Sequence, residues 1–288
     1  MDATTVGIYS EQTDRWVARR RALDVDAAAA LSELVPTGRL ADLGCGPGFH
    51  VGSLGPGVIA LDAARPMVVR AHALGANGVV GDLEHLPFAD RSLDGAWASR
   101  SYVHVARARL PLALRELHRS VAVGGRIALT MIPGDHDGRD LPDDDFPGRW
   151  FALWSADDLA DVVGDAGFDD VAVEVTDAPR PGAGRLPVTG RRARRLADTV
   201  GPGMRLLVCG LNPSEYSADA GVPYARPGNR FWPAALRAGV VTRDRDPLHA
   251  LSAHGVGFTD LVRRATPAIS DLERGEFAAG ASRLERLV

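Results

Sequence analysis

Ala41-Asp42-Leu43-Gly44-Cys45-Gly46-Pro47-Gly48 decides how the first half of this chain is read. The run from Arg39 to Leu43 has the apolar character of a short strand. It reaches an acid and then three glycines in alternate positions. A strand that empties into such a turn sets bare backbone N–H groups beside a ligand, with no Cβ to hold the ligand away.

The segments around this turn alternate in type. A helical pattern covers Asp14 to Val35 and stops at Pro36-Thr37-Gly38. Behind the turn, Phe49 to Gly55 leaves room only for a stunted helix. Strands are expected at Val58–Leu61, Val79–Asp82, Leu93–Ser99 and Arg126–Ile132, with helices at Ala63–Leu74 and Leu110–Val121. A further helix, Asp157–Gly167, and a strand, Asp170–Val175, follow an acidic, Pro/Gly-rich loop at Gly134–Arg149. Such alternation implies right-handed βαβ units in a doubly wound α/β sheet. Ligands on these sheets bind beyond the carboxyl ends of the strands, which singles out Asp42, Asp62, Asp82, Ser99 and the chain from Pro133.

The bulk composition excludes some classes. The 288 residues are 45% hydrophobic and 24% charged, with a net charge of −4, so the whole chain is no general polyanion binder. Every one of the 33 basic residues is arginine, which makes an arginine cluster weaker evidence than usual. Cys45 and Cys209 lie far apart without metal-ligand spacing, so no metal site is read and a reducing, cytoplasmic setting is expected. No stretch has the length and apolarity of a signal sequence or a membrane span.

The second half changes character. Residues 178–203 are rich in Pro, Gly and Arg and read as a linker with a short basic helix. A new unit is expected over residues 204–288. It has a strand at Met204–Val208, a polar loop running into a helix at Pro233–Ala238, a loop or short strand in Gly255–Val262 and a helix from Glu273.

Five ordered motifs mark the first module: D-L-G-C-G-P-G at Asp42–Gly48, A-L-D at Ala60–Asp62, G-D-L-E-H-L-P-F at Gly81–Phe88, L-R-E-L-H-R-S-V-A-V-G-G-R at Leu114–Arg126, and A-G-F-D-D-V at Ala166–Val171. Together they resemble the Rossmann-like S-adenosylmethionine-dependent methyltransferases of the type 11 kind, with the domain over residues 1–177. The resemblance implies that Gly44, Gly46 and Gly48 admit the cofactor and that Asp42 faces its ammonium. It implies that Asp62 accepts from both ribose hydroxyls, and that Asp82 and Leu83 flank the adenine, with Ser99 nearby. The spacing from Gly44 to Asp62 is shorter than the family's. Ala98-Ser99-Arg100-Ser101 stands where nucleic-acid base methyltransferases carry D-P-P-Y or N-P-P-Y, so a small-molecule acceptor is expected. Tyr102, His104 and His136 are the candidate bases for an acceptor that needs one.

Gly210-Leu211-Asn212-Pro213-Ser214, then Val222 to Trp232 and Gly255 to Val262, resembles the mismatch-specific uracil/thymine-DNA glycosylases. That implies a second α/β unit of the uracil-DNA-glycosylase kind, acting on double-stranded DNA with a G·U or G·T mismatch. Asn212 would position the attacking water, Tyr224 would stack on the flipped base, and Ser214, Asn229 and Arg226 would contact substrate. Ser214 stands where the family carries glycine, and the family's later DNA-wedging loop has no counterpart, so the module is expected to be incomplete. Three readings follow: a two-activity fusion; an active methyltransferase whose second module is a DNA-binding or structural remnant; and a non-enzymatic binding protein. The sequence leaves the oligomeric state open.

Overall fold

The computed structural model describes residues 1–176 and 184–287. The chain divides into two compact units, one of Met1–Gly164 with Asp169–Arg192, the other of Asp165–Phe168 with the chain from Ala193 onward.

The first unit begins with three helices, α1 (Ala3–Glu11), α2 (Thr13–Arg19) and α3 (Val25–Leu34). The single helix expected from Asp14 to Val35 is therefore broken. Asp24 adopts a left-handed backbone (φ 57°), which no continuous helix accommodates. Next come β1 (Leu40–Leu43), α4 (Val51–Leu54), β2 (Ile59–Asp62), α5 (Arg65–Ala73), β3 (Asn77–Val80), β4 (Leu93–Ser99), α6 (Leu110–Ser120) and β5 (Val121–Met131). A small antiparallel pair, β6 (Asp137–Gly138) and β7 (Phe151–Ala152), precedes α7 (Ala156–Asp165), β8 (Phe168–Val173) and β9 (Leu186–Arg192).

These strands form a seven-stranded sheet in the order β3-β2-β1-β4-β5-β9-β8. β3, β2, β1, β4 and β5 run parallel, and β9 pairs antiparallel with β5. The order reverses between β1 and β4, so the crevice for a ligand opens at their carboxyl ends, where the glycine turn lies. α6 buries Leu110, Ala113, Leu114 and Leu117, the i, i+3, i+4, i+7 pattern of a helix covering a sheet. Leu31, Leu40, Val51, Leu54 and Trp97 build a core cluster beside the turn.

β9 corrects the expected linker over residues 178–203. Leu186, Val188, Gly190 and Arg192 are buried while the residues between them are more open. This is period-two alternation, so the arginines there belong to a strand rather than to a short basic helix. Residues 177–183, which hold the expected domain boundary and Arg180, lie outside the described residues.

The second unit contains β10 (Leu206–Gly210), α8 (Glu215–Ala220), α9 (Phe231–Arg237), α10 (Pro247–His254), β11 (Val256–Asp260) and α11 (Arg274–Leu287). β10 and β11 pair in parallel, Leu206 opposite Val256 through Gly210 opposite Asp260. Trp232, Val241, Ala250, Val256 and Phe258 form its core. Trp232 is fully buried, and its indole N–H donates to the Pro223 carbonyl at 2.8 Å.

Candidate active sites

A cavity of about 290 Å³ lies at the crevice of the first unit. Gly44, Gly46, Asp62, Leu83 and Ser99 line it. The three glycines do different work. A Cβ on Gly44 would lie 2.2 Å from Ser101 Cβ, and one on Gly48 would lie 2.8 Å from Ala71 Cα, so both allow close packing. A Cβ on Gly46, which lines the cavity, would meet only the Trp16 ring at 3.8 Å, and the residue adopts φ 52°. Its N–H donates to Asp62 Oδ2 at 2.9 Å, while the Ala64 N–H donates to Asp62 Oδ1 at 2.8 Å. Two backbone donors thus fix the carboxylate and leave further lone pairs for a ligand diol. α4 is a single turn, too short to concentrate a helix dipole at the cavity.

Asp42 is buried behind this wall, 1% exposed, with Oδ2 lacking a hydrogen-bond partner. Burial, and secondarily the Asp62 charge, push its pKa up to about 8. Asp82 lies outside the cavity lining and is engaged by the Met1 amino group at 2.5 Å. Burial alone would raise Asp82, but that ammonium and the Glu84 N–H hold its carboxyl below the usual range.

Tyr9, His104, Arg149 and Phe151 also line the cavity. Tyr9 Oη and His104 Nε2 are 2.8 Å apart, and Arg149 Nη1 donates to Tyr9 Oη at 2.7 Å. His104 Nδ1 lies 2.6 Å from the Trp150 carbonyl. Asp144 receives Arg149 through two guanidinium nitrogens, Nε at 3.1 Å and Nη2. Of the other two candidate bases, Tyr102 is fully buried in the core and His136 turns to the Gly138 carbonyl; neither lines the cavity. The sequence pointed to His104 but held no signal for Tyr9, 95 residues before it, or for Arg149, which donates to Tyr9 from 140 residues further along the chain.

In the second unit, Asn212 Nδ2 donates to Thr266 Oγ1 at 2.7 Å and faces the Pro213 and Arg264 carbonyls at 3.3 and 3.4 Å. Carbonyls only accept, so this fixes the amide's orientation and leaves Oδ1 to hold a water. The Ser214 hydroxyl caps α8, accepting from the Ser217 N–H at 3.2 Å. Tyr224 has φ 55° and stacks on Phe231, ring centres 4.5 Å apart. Asn229 Oδ1 accepts from the Phe231 N–H at 2.9 Å, and Arg226 is exposed. Asp260, given no role from sequence, is buried at the end of β11 with its carboxylate against Gly210. Burial first, and then the Asp198 charge, push its pKa up to about 7.

Residues 41–129 match the family model of a methyltransferase domain, type 11, and residues 197–288 match that of the uracil DNA glycosylase superfamily. The chain joins a methyltransferase domain to a uracil DNA glycosylase superfamily domain. Among solved structures, the methyltransferase domain resembles the DhpI–SAH complex at 22% identity, over 66% of this chain and 96% of that one, with a TM-score of 0.51. It also resembles the 1,6-didemethyltoxoflavin-N1-methyltransferase of Burkholderia thailandensis at 19% identity, over 66% of this chain and 86% of that one, with a TM-score of 0.50. These likenesses establish the Rossmann-like fold of the methyltransferase domain.

Within the methyltransferase domain the structure gathers Gly44, Gly46, Asp62, Leu83 and Ser99 at one cavity; Asp42, Gly48 and Asp82 stand outside its lining. Within the glycosylase-superfamily domain, Asn212 and Ser214 share the turn after β10, while Tyr224, Arg226 and Asn229 share the loop before α9. No helix among the described residues is long and apolar enough to cross a membrane.

Proposed function

We propose that the first unit transfers the methyl group of S-adenosylmethionine to a small-molecule acceptor held against the wall of Tyr9, His104 and Phe151. Asp62 takes the ribose hydroxyls, Gly44 and Gly46 let the backbone approach the cofactor, Leu83 packs on the adenine, and Ser99 borders the same crevice. Gly48 supports the turn through its packing on Ala71. Asp42 and Asp82, which the resemblance would set at the cofactor's ammonium and adenine amino group, stand outside the cavity lining, Asp42 buried behind it and Asp82 held by the Met1 amino group. The observation that carries this reading is Asp62: its two oxygens are tethered by the Gly46 and Ala64 N–H groups at the cavity wall, which presents an oriented acceptor to a diol. The cofactor supplies the electrophilic methyl, and the protein supplies alignment and exclusion of water. Calorimetric titration with S-adenosylhomocysteine tests it; unchanged binding by Asp62→Ala would remove the assignment.

The second unit, from Ala193 onward, is read as a DNA N-glycosylase module for uracil or thymine mispaired with guanine. Asn212 Oδ1 holds the attacking water, Tyr224 and Phe231 form the aromatic surface for an extruded base, and Ser214, Arg226 and Asn229 border it. Incubation with a duplex carrying one G·U pair, followed by alkali, should give strand scission that Asn212→Ala abolishes. Absence of scission by the wild-type chain would favour a DNA-binding or structural module. The exposure of β10 supports that second reading, since Leu206 remains 49% exposed.

A further inference from the structure

The methyltransferase cavity carries a proton path that transfer to an already anionic acceptor would not need. The Trp150 carbonyl can only accept, so His104 Nδ1 bears the hydrogen and Nε2 presents a lone pair. Nε2 therefore accepts the Tyr9 O–H, while Tyr9 Oη itself accepts from Arg149. The Tyr9 oxygen has capacity for one more donor, and it lines the cavity. Burial, offset in part by the bond to Trp150, lowers His104 to about 4 and keeps it neutral near pH 7. Burial raises Tyr9 above the ordinary phenol range and keeps it protonated as the relay requires, offset in part by the Arg149 guanidinium 5.2 Å from its ring centre. Phe151 packs on His104 at 4.8 Å between ring centres and closes the other side.

We propose that Tyr9 and His104 form a proton relay that accepts the proton of a hydroxyl acceptor, making this an O-methyltransferase site. The inference rests on the cofactor reading above. The acceptor oxygen forms the O–CH3 bond as the S–CH3 bond breaks, and that electron pair stays on sulfur. The acceptor's proton passes to Tyr9 Oη as the Tyr9 proton passes to His104 Nε2. After the methylated product leaves, the imidazolium, held at Nδ1 by the Trp150 carbonyl, returns its Nε2 proton to Tyr9 Oη as the Tyr9 proton passes to water in the cavity. Carboxylate or thiolate acceptors would bypass this path.

The test uses the full chain with methyl-labelled S-adenosylmethionine and four probes: catechol, benzyl alcohol, benzoate and thiophenol. Calorimetry with S-adenosylhomocysteine is run on each variant. Transfer to catechol or benzyl alcohol is expected. His104→Gln and Tyr9→Phe should each lower kcat on that hydroxyl roughly a hundredfold, with cofactor Kd within about twofold. Any transfer to thiophenol should stay within about threefold, since a thiolate needs no base. A purely structural role would instead depress both probes alike. A hydroxyl rate in either variant equal to that of the unsubstituted chain, or transfer confined to benzoate or thiophenol, would overturn the relay. So would no transfer to a hydroxyl by a chain that binds cofactor. A chain that binds no cofactor would overturn the cofactor reading and the relay with it.

Discussion

The Gly46 N–H donates to Asp62 Oδ2 at 2.9 Å, joining the turn after the first strand to the acid after the second. The bond explains why a carboxylate is suited to this position: one oxygen is tethered to the turn, and lone pairs remain for a ligand. Asp62→Ala should weaken S-adenosylhomocysteine about 30-fold, equivalent to about 2 kcal/mol for charge-assisted hydrogen bonds. Calorimetry measures this directly, with thermal unfolding as the control for folding.

Asp42 should make the ligand-free methyltransferase domain less stable as pH rises. Its folded pKa, pushed up to about 8 chiefly by burial, lies above its unfolded value of 3.8. Stability from the neutral form is complete below the unfolded value and is lost as pH climbs through the folded one. Asp42→Asn should remove the loss, gaining roughly 2–4 kcal/mol at pH 8 relative to pH 5. Urea unfolding followed by hydrogen exchange in β1 reads it. An equal effect of the substitution at both pH values would contradict the burial argument.

Gly48 and Gly57 both have positive φ, at 89° and 81°, but only Gly48 has a neighbour in the way. Gly48→Ala should destabilise by about 3 kcal/mol, since a Cβ would press on the Ala71 backbone; Gly57→Ala should cost about 1 kcal/mol for its backbone conformation alone. Denaturant midpoints of the two variants distinguish close packing from conformational preference.

In the second unit, Arg283 Nη1 meets Asp198 Oδ2 at 2.6 Å and Nη2 donates to Thr259 Oγ1 at 2.9 Å, with all three side chains buried. Asp198→Ala should cost about 3 kcal/mol, because it leaves a buried guanidinium that cannot shed its charge with only the Asp165 carboxylate, 3.9 Å away, as ion-pair partner among the described residues. Arg283→Met should cost less: burial has pushed Asp198 up to about 6 even beside its partner, so it can take a proton instead. Hydrogen exchange in α11 and β11 follows that unit alone.

The glycine turn, the strand-end acids and the strand alternation were legible because each is a local pattern. The stunted α4 was legible too, from the few residues between Phe49 and Gly55. The break at Asp24 was not, since apolar residues keep helical spacing on both sides of it. β9 was obscured by Pro187, Gly190 and five arginines in or beside it, Arg185, Arg191, Arg192, Arg194 and Arg195, although Leu186 and Val188 alternate as a strand requires. Tyr9 and Arg149 were out of reach because their partnership is made only by the fold, across 140 residues. Asp260 lay inside a quoted motif, but its meaning depends on burial against Gly210.

The central claim is that the cavity beside Gly46 and Asp62 is a methyl-donor site. Calorimetric titration of the full chain with S-adenosylhomocysteine tests it most directly. The account predicts one molecule bound per chain with a Kd below about 100 μM, corresponding to more than about 5 kcal/mol of binding energy. Absence of saturable binding, or binding that Asp62→Ala leaves unchanged, would contradict it.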